Sequence, residues 1–387
     1  MKILHTIAGV WSGTGGPVAS VTSLCRELAS RGHEVCLLTG EGPLHPAVEK
    51  LADHVRVRLA RLGPYRLAHW SKDFRRACRE EARWADIVHD HGVWLYTDWS
   101  SAGAAAEAAR PLVRSPRGML SPWALSRSKL RKRLLWALIE RRLFAGAAVV
   151  HATSELEERE IKSLGLACRV AVVPNGIDTE VEYALERVLA ARDAEAFGSG
   201  SRRRIVFLSR LHPKKGLDLL QEAWATFPGD LPAELLIAGA GDEDCVADLR
   251  SWIERQPGPP VRYLGPVHGD EKLRLLASAW AFVLPSRSEN YGMAVAEALA
   301  CGTPVLTTTE TPWKELPARG CGWIVPPRAP ELIVALREAL AVGENAHTGM
   351  RERARLYIEA EHSLRATGAR FEAIYSDLAG GRGAKPR

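Results

Sequence analysis

Two carboxylates with seven residues between them, Glu289 and Glu297, are the part of this sequence best suited to chemistry. The text between them begins Glu289-Asn290-Tyr291-Gly292-Met293, and from Met293 to Ala300 the only charge is Glu297, so a helix there must be buried. First-turn N–H groups near Gly292 and Met293 would lack intrahelical partners and carry partial positive charge, which suits a phosphate. A carboxylate accepts from both hydroxyls of a vicinal diol, so Glu297 suits a ribose or hexose edge. Phosphate and diol together describe a nucleotide sugar. The plainer reading of Glu297, a side chain reaching solvent from the helix end, stays open. Arg210 and Lys215 bracket a strand-to-helix turn, where their cationic ends either converge on one diphosphate or simply face water.

The surrounding elements must position these groups. Ala281–Leu284 is an uncharged strand, Pro285 to Ser288 breaks it, Gly302 and Pro304 stop the following helix, and Val305 to Thr308 is the next strand. That is a β-α-β unit whose helix starts beyond a strand's carboxyl end, where open α/β sheets bind ligands. Arg204 to Leu208, Glu234 to Ala238 and Val261 to Leu264 read as further strands, the last followed by Gly265-Pro266-Val267. The acids Asp242-Glu243-Asp244 begin a helix, which complements its dipole more simply than it would hold a metal.

The N-terminal half opens a similar series. Lys2 to Ile7 is a strand, Gly9 to Gly16 a glycine-rich loop, Val18 to Arg31 a helix, and Glu34 to Thr39 the next strand. Gly13, Gly15 and Gly16 do not fit G-x-G-x-x-G, yet Glu41 sits where a dinucleotide ribose acceptor would lie, so an oxidoreductase remains a weaker alternative. Asp86 to His89 is a strand running into His91; only one histidine of that pair is expected to face a given cleft, and a core or loop histidine is an equal reading. Pro111 to Ser115 leads into Arg117, either a solvated loop residue or a bidentate holder of an anion. Arg127 to Phe144 has apolar residues at helical spacing and a strongly basic start, and it suits either an anionic membrane or the domain's own surface. A helix from Ser154 to Leu164 and strands near Val149 and Val170 complete this half, and Pro174 to Asp178 is turn chemistry at a boundary.

At 387 residues, two domains are expected. The net charge of +6 and pI near 9.0 favour anionic partners without naming one. Seven scattered cysteines without a CxxC pair suggest a reducing compartment, and no stretch reads as a signal peptide or a spanning helix. A cytoplasmic protein, at most resting on a membrane face, is the expectation.

With its run Pro285-Ser-Arg-Ser-Glu289-Asn-Tyr-Gly-Met-Ala-Val-Ala-Glu297-Ala-Leu-Ala-Cys-Gly302-Thr-Pro304, the chain resembles the retaining glycosyltransferases of family 4. The resemblance implies the α/β GT-B fold, two Rossmann-like domains facing each other across a deep cleft. It places residues 1–178 on the acceptor side, 179–203 in a linker and 204–362 on the nucleotide-sugar side, with a helix within 363–387 crossing back. It implies that Arg210, Lys215 and Glu289 are catalytic. Glu297, Asn290, Tyr291, Gly292, Met293, Gly15, Gly16 and Val267 would meet the donor, while His91 and Arg117 would line the acceptor side. Many relatives carry a histidine where Arg117 stands, so that role does not carry over directly. The implied co-substrate is a nucleoside diphosphate sugar, with no cofactor, metal or nucleic acid. The preferred acceptor is a lipid-linked glycan at the inner membrane face. A soluble small acceptor is the alternative, and a donor-binding subunit without activity is a further rival.

Overall fold

The computed structural model describes residues 1–11, 16–49, 51, 53–65, 68–177 and 202–381. The chain forms two compact units, one of Met1–Gly176 with Leu364–Arg387 and one of Ile177–Ser363. The expected linker at 179–203 lies outside the described residues up to 201, and Arg203 already pairs within a strand.

In the first unit β1 (Lys2–Ile7), β2 (Glu34–Gly40), β3 (Arg56–Ala60), β4 (Ile87–His91), β5 (Leu112–Ser115), β6 (Val149–Ala152) and β7 (Val170–Val172) form one parallel sheet in the order β3-β2-β1-β4-β5-β6-β7. Alternation sends Leu4, Cys36, Leu38, Val88 and Val150 to one apolar layer, and Ile3, Val35, Leu37, Ile87, Val113 and Val149 to the other. Both faces of the sheet are therefore covered, as is usual for parallel strands. The helix Leu364–Gly380 belongs here: Phe371 and Tyr375 sit in the second layer, and Glu372 binds Arg31 at 3.0 Å and His33 at 3.1 Å.

In the second unit β8 (Arg203–Leu208), β9 (Ala233–Ala238), β10 (Val261–Gly265), β11 (Ala281–Leu284), β12 (Val305–Thr308) and β13 (Gly322–Val325) make a parallel sheet in the order β10-β9-β8-β11-β12-β13. Both sheets reverse direction of growth beside their first strand, between β1 and β4 and between β8 and β11, and Rossmann-like units leave a ligand crevice at that point.

Three features depart from expectation. Strand β3 and the helix Lys72–Trp84, capped by the Ser71 hydroxyl on the Phe74 N–H, complete the first unit's edge and were not anticipated. His89 and His91 are two apart and so share one face of β4, with ring centroids 4.0 Å apart; the pair is not divided between two sides. The basic segment is three abutting pieces, Lys129–Leu135, a π-turn Trp136–Glu140 and Arg141–Ala145. Its only acid, Glu140, is fully buried, accepting from Trp94 N (2.9 Å), Trp99 Nε1 (2.8 Å) and Arg114 Nη1 (3.1 Å). Among the described residues no helix is long and apolar enough to cross a membrane.

Candidate active site

The second unit brings Lys215 against Glu289. After β8 the chain passes Arg210 and enters a 3-10 turn, Pro213–Lys215, in which His212 Nδ1 accepts from Lys214 N at 3.1 Å. Gly216 then takes φ +69° and opens the helix Leu217–Trp224. After β11 the loop from Pro285 runs alongside this turn. Arg287 N donates to Lys214 O at 2.8 Å, and the Arg287 guanidinium forks onto Asp218 at 2.7 and 2.6 Å. Ser286 O accepts from Thr308 Oγ1 at 2.5 Å, tying the loop to β12 as well.

These tethers set Lys215 against Glu289: the ammonium is ion-paired to Oε1, which also accepts from Ser286 Oγ at 3.2 Å. Glu289 keeps only 9% of its surface, so the pair is held at the edge of the core rather than in water. The second carboxylate has its own lysine. Glu297 Oε1 accepts from Lys272 Nζ at 2.8 Å, leaving Oε2 for another donor such as a sugar hydroxyl. Lys272 lies on the helix Gly269–Ala277 and was not singled out from the sequence.

Between the carboxylates the chain turns sharply. Gly292 caps the helix Met293–Ala300 with φ +83°, and its carbonyl accepts from Val295 N (2.9 Å) and Ala296 N (3.3 Å). The amides ahead of these, at Met293 and Ala294, are the positive tip an anion would meet. Tyr291 does not project there. Its ring is 4% exposed, its hydroxyl meets His362 Nδ1 at 2.9 Å, and its carbonyl accepts from Trp313 Nε1 at 2.6 Å. The aromatic therefore fixes the loop from inside, and any donor contact of Tyr291 falls to its backbone. Asn290 precedes it in the same loop, and the Val267 side chain is buried beyond β10, which likewise leaves only its backbone to face a ligand. Arg210 is exposed and has no ion-pair partner among the described residues.

Gly216 shows how tightly the two loops meet. A Cβ built there would lie 2.0 Å from the Pro285 carbonyl oxygen, and the left-handed backbone alone disfavours a side chain by about 1–2 kcal/mol. Gly216→Ala is expected to lower the melting temperature of this unit and impair turnover together; a variant melting and turning over like wild type would refute this reading of the turn.

In the first unit the expected acceptor residues face inward. Arg117, with φ +54°, donates from Nη1 to Asn175 Oδ1 (2.7 Å) and from Nη2 to His91 Nδ1 (3.0 Å). Since His91 Nδ1 accepts, its Nε2 carries the proton and donates to His5 Nδ1 at 2.9 Å. His91 is 3% exposed, which corrects its placement: the ring belongs to the interior and presents no free nitrogen to an acceptor. Burial brings Arg117 down to about 10, still a cation at neutral pH, but one committed to these partners. A second chain runs beside the first and is directed by a carbonyl that can only accept. His151 Nε2 donates to Val173 O (2.8 Å), so Ser115 donates to His151 Nδ1 (2.7 Å), His89 Nε2 to Ser115 Oγ (2.7 Å), and the Tyr375 hydroxyl to His89 Nδ1 (2.5 Å). Ring nitrogens of His5, His89 and His91 lie within 4.8 Å of one another, a spacing that would suit an ion. Among them only His5 Nε2 has no hydrogen-bond partner, and the Arg117 cation adjoins the group, so it is a hydrogen-bonded core rather than an open ligand set. Gly16 opens the helix Gly16–Ser30, whereas Gly13 and Gly15 lie outside the described residues.

Comparison with known proteins gives this geometry its family. Residues 14–181 match the model described as Glycosyltransferase Family 4, and residues 202–341 that described as Glycosyl transferases group 1. Curated relatives named D-inositol 3-phosphate glycosyltransferase are 27% identical in Jonesia denitrificans, over 90% of this chain and 91% of the relative, and 28% identical in Mycolicibacterium smegmatis, over 78% and 74%. Among solved structures, Anabaena Alr3699/HepE in complex with UDP and glucose superposes with a TM-score of 0.76 at 20% identity, covering 97% of this chain and all (100%) of that one. WaaG, a glycosyltransferase involved in lipopolysaccharide biosynthesis, superposes at 0.68 with 17% identity, over 98% and 100%. At such identities the superpositions speak for the fold, two Rossmann-like α/β domains of the GT-B type.

Proposed function

Because this chain belongs to the family 4 glycosyltransferases, we propose that it moves a hexose from a nucleoside diphosphate sugar to a small soluble hydroxyl acceptor, with retention of anomeric configuration and no requirement for a metal. The observation that carries the donor half is the pair of carboxylates flanking one helix tip, each held by its own lysine, Lys215 on Glu289 and Lys272 on Glu297. In this scheme the diphosphate meets the amides of Met293 and Ala294 together with Lys215 and Arg210. As the glycosidic bond breaks, charge accumulates on the leaving phosphate oxygen, and fixed donors already aimed there stabilise it without moving a proton. Glu297 Oε2 takes a ribose hydroxyl, and Glu289 orients the hexose by its hydroxyls.

The names of the curated relatives support the small acceptor and make an inositol phosphate the first candidate. A lipid-linked glycan is the second reading, favoured by a ridge of exposed leucines on the first unit. The test is a panel of UDP-, GDP- and ADP-hexoses, each offered with inositol 3-phosphate and with a lipid-linked sugar, with EDTA present and the product anomer assigned by NMR. Transfer with retention to the soluble acceptor is expected. Inversion or a metal requirement would refute the mechanism, transfer to the lipid acceptor alone would select the second reading, and nucleotide binding without transfer would mark an inactive subunit.

A further inference from the structure

The basic segment of the first unit has a face that no described residue of the unit covers. Leu135, Trp136, Glu140 and Arg141 keep right-handed helical dihedrals where its three pieces join, so Lys129 to Ala145 run as one helix of about five turns. One side is anchored: Phe144 and Glu140 are fully buried, and Trp136 packs between Trp94 (6.3 Å) and Phe144 (5.8 Å). On the other side Leu130, Leu134 and Leu138 are 82%, 60% and 61% exposed. Spaced four apart, they form a single ridge. Counting about 3.6 residues per turn, Lys129 and Arg133 border the ridge on one flank and Arg131 and Arg142 on the other, all four exposed.

Charge tells what could cover it. The helix's one acid is consumed inside by Arg114 and two indole-bearing residues, so every exposed charge on it is positive. Lys132 shows the crowding: its ammonium is depressed by burial and by the neighbouring Arg127 and Arg131, and it leans on Ala124 O at 2.5 Å. A second copy of this chain would bring the same cations face to face. An acidic surface with an apolar layer just beneath it matches both the ridge and its flanks, since long cationic side chains reach phosphates while leucines enter the acyl boundary.

We propose that the Leu130-Leu134-Leu138 ridge docks the first unit on an anionic phospholipid surface. This stands independently of the transfer chemistry, and vesicle binding and donor hydrolysis are separate readouts. Full-length protein would be sedimented with vesicles of phosphatidylcholine alone and of phosphatidylcholine mixed with phosphatidylglycerol. Binding to the mixed vesicles only is expected, weakening about fivefold for each cation lost in Arg131→Gln and Arg133→Gln. The triple variant Leu130→Gln, Leu134→Gln, Leu138→Gln should lose binding while keeping its melting temperature and donor hydrolysis; the single Leu130→Gln, at the most exposed position, serves if the triple variant misfolds. Wild type left in the supernatant at low salt, or leucine variants that bind like wild type, would overturn the proposal. So would a wild-type dimer in sedimentation velocity that the leucine variants abolish, which would make the ridge an interface between copies.

Discussion

Replacing Lys215 by alanine is expected to lower donor-dependent turnover about 100- to 1000-fold, the usual effect of removing one fixed donor aimed at developing negative charge. Two losses combine in this variant. The leaving diphosphate forfeits a cation, and Glu289, at 9% exposure, keeps only the Ser286 hydroxyl on its Oε1. A buried carboxylate deprived of its lysine costs about 1–3 kcal/mol, so some fall in melting temperature should accompany the kinetic loss. Lys215→Arg keeps the charge and separates the two: stability should return, while turnover recovers only partly because the fork of a guanidinium differs from an ammonium. Steady-state kinetics with the preferred donor checks it, and wild-type turnover in Lys215→Ala would contradict the assignment.

Mild acid is expected to destabilise the first unit. Burial holds the His5 and His151 imidazoles down to about 3 and those of His89 and His91 well below their ordinary value, in each case with the Arg117 cation adding to the effect. Above about pH 6.5 these rings are neutral folded or unfolded, and their contribution to stability is complete. As pH falls below that value the unfolded chain takes up protons that the native rings refuse, costing about 1.4 kcal/mol per pH unit for each ring. Two carboxyls in the other layer oppose the trend, since burial raises Asp90 and Asp98, which gain protons on folding. The four rings outnumber the two carboxyls, so the net effect of acidification is a loss of the first unit's stability. Calorimetry at about pH 7.5 and about pH 5 should show the first unit's transition moving steeply down; a transition that stays in place would mean the histidines titrate normally.

How much of this could be read from the sequence depends on how local each signal is. The helix Met293–Ala300 and strands β11 and β12 fall where the text placed them because Gly292, Gly302 and Pro304 punctuate an uncharged run, and punctuation is a property of neighbours in sequence. Strand β3 escaped notice because Arg56-Val57-Arg58-Leu59 is an edge strand whose half-exposed alternation resembles a charged loop. Lys272 escaped because no local pattern joins a surface-type helix to a carboxylate 25 positions away; only the packing of two helices does. The inward turn of His91 and Arg117 has the same origin. Residues on β1, β4, β5 and β6 and the Tyr375 hydroxyl from the last helix meet under one sheet, and sequence spacing does not encode that meeting. The π-turn at Trp136–Glu140 likewise serves a distant partner, swinging Glu140 beneath Arg114 and leaving the leucines outside.

The claim on which the rest depends is that one helix tip in the second unit, with Lys215 and Glu297 on either side, grips a nucleoside diphosphate. Titration calorimetry of the donor's nucleoside diphosphate and monophosphate into wild type, Lys215→Ala and Glu297→Gln tests it directly. The account predicts that wild type prefers the diphosphate, that Lys215→Ala sharply reduces this preference, and that Glu297→Gln weakens both nucleotides about equally, since it acts on the ribose. Undiminished binding with an intact diphosphate preference in both variants would contradict it.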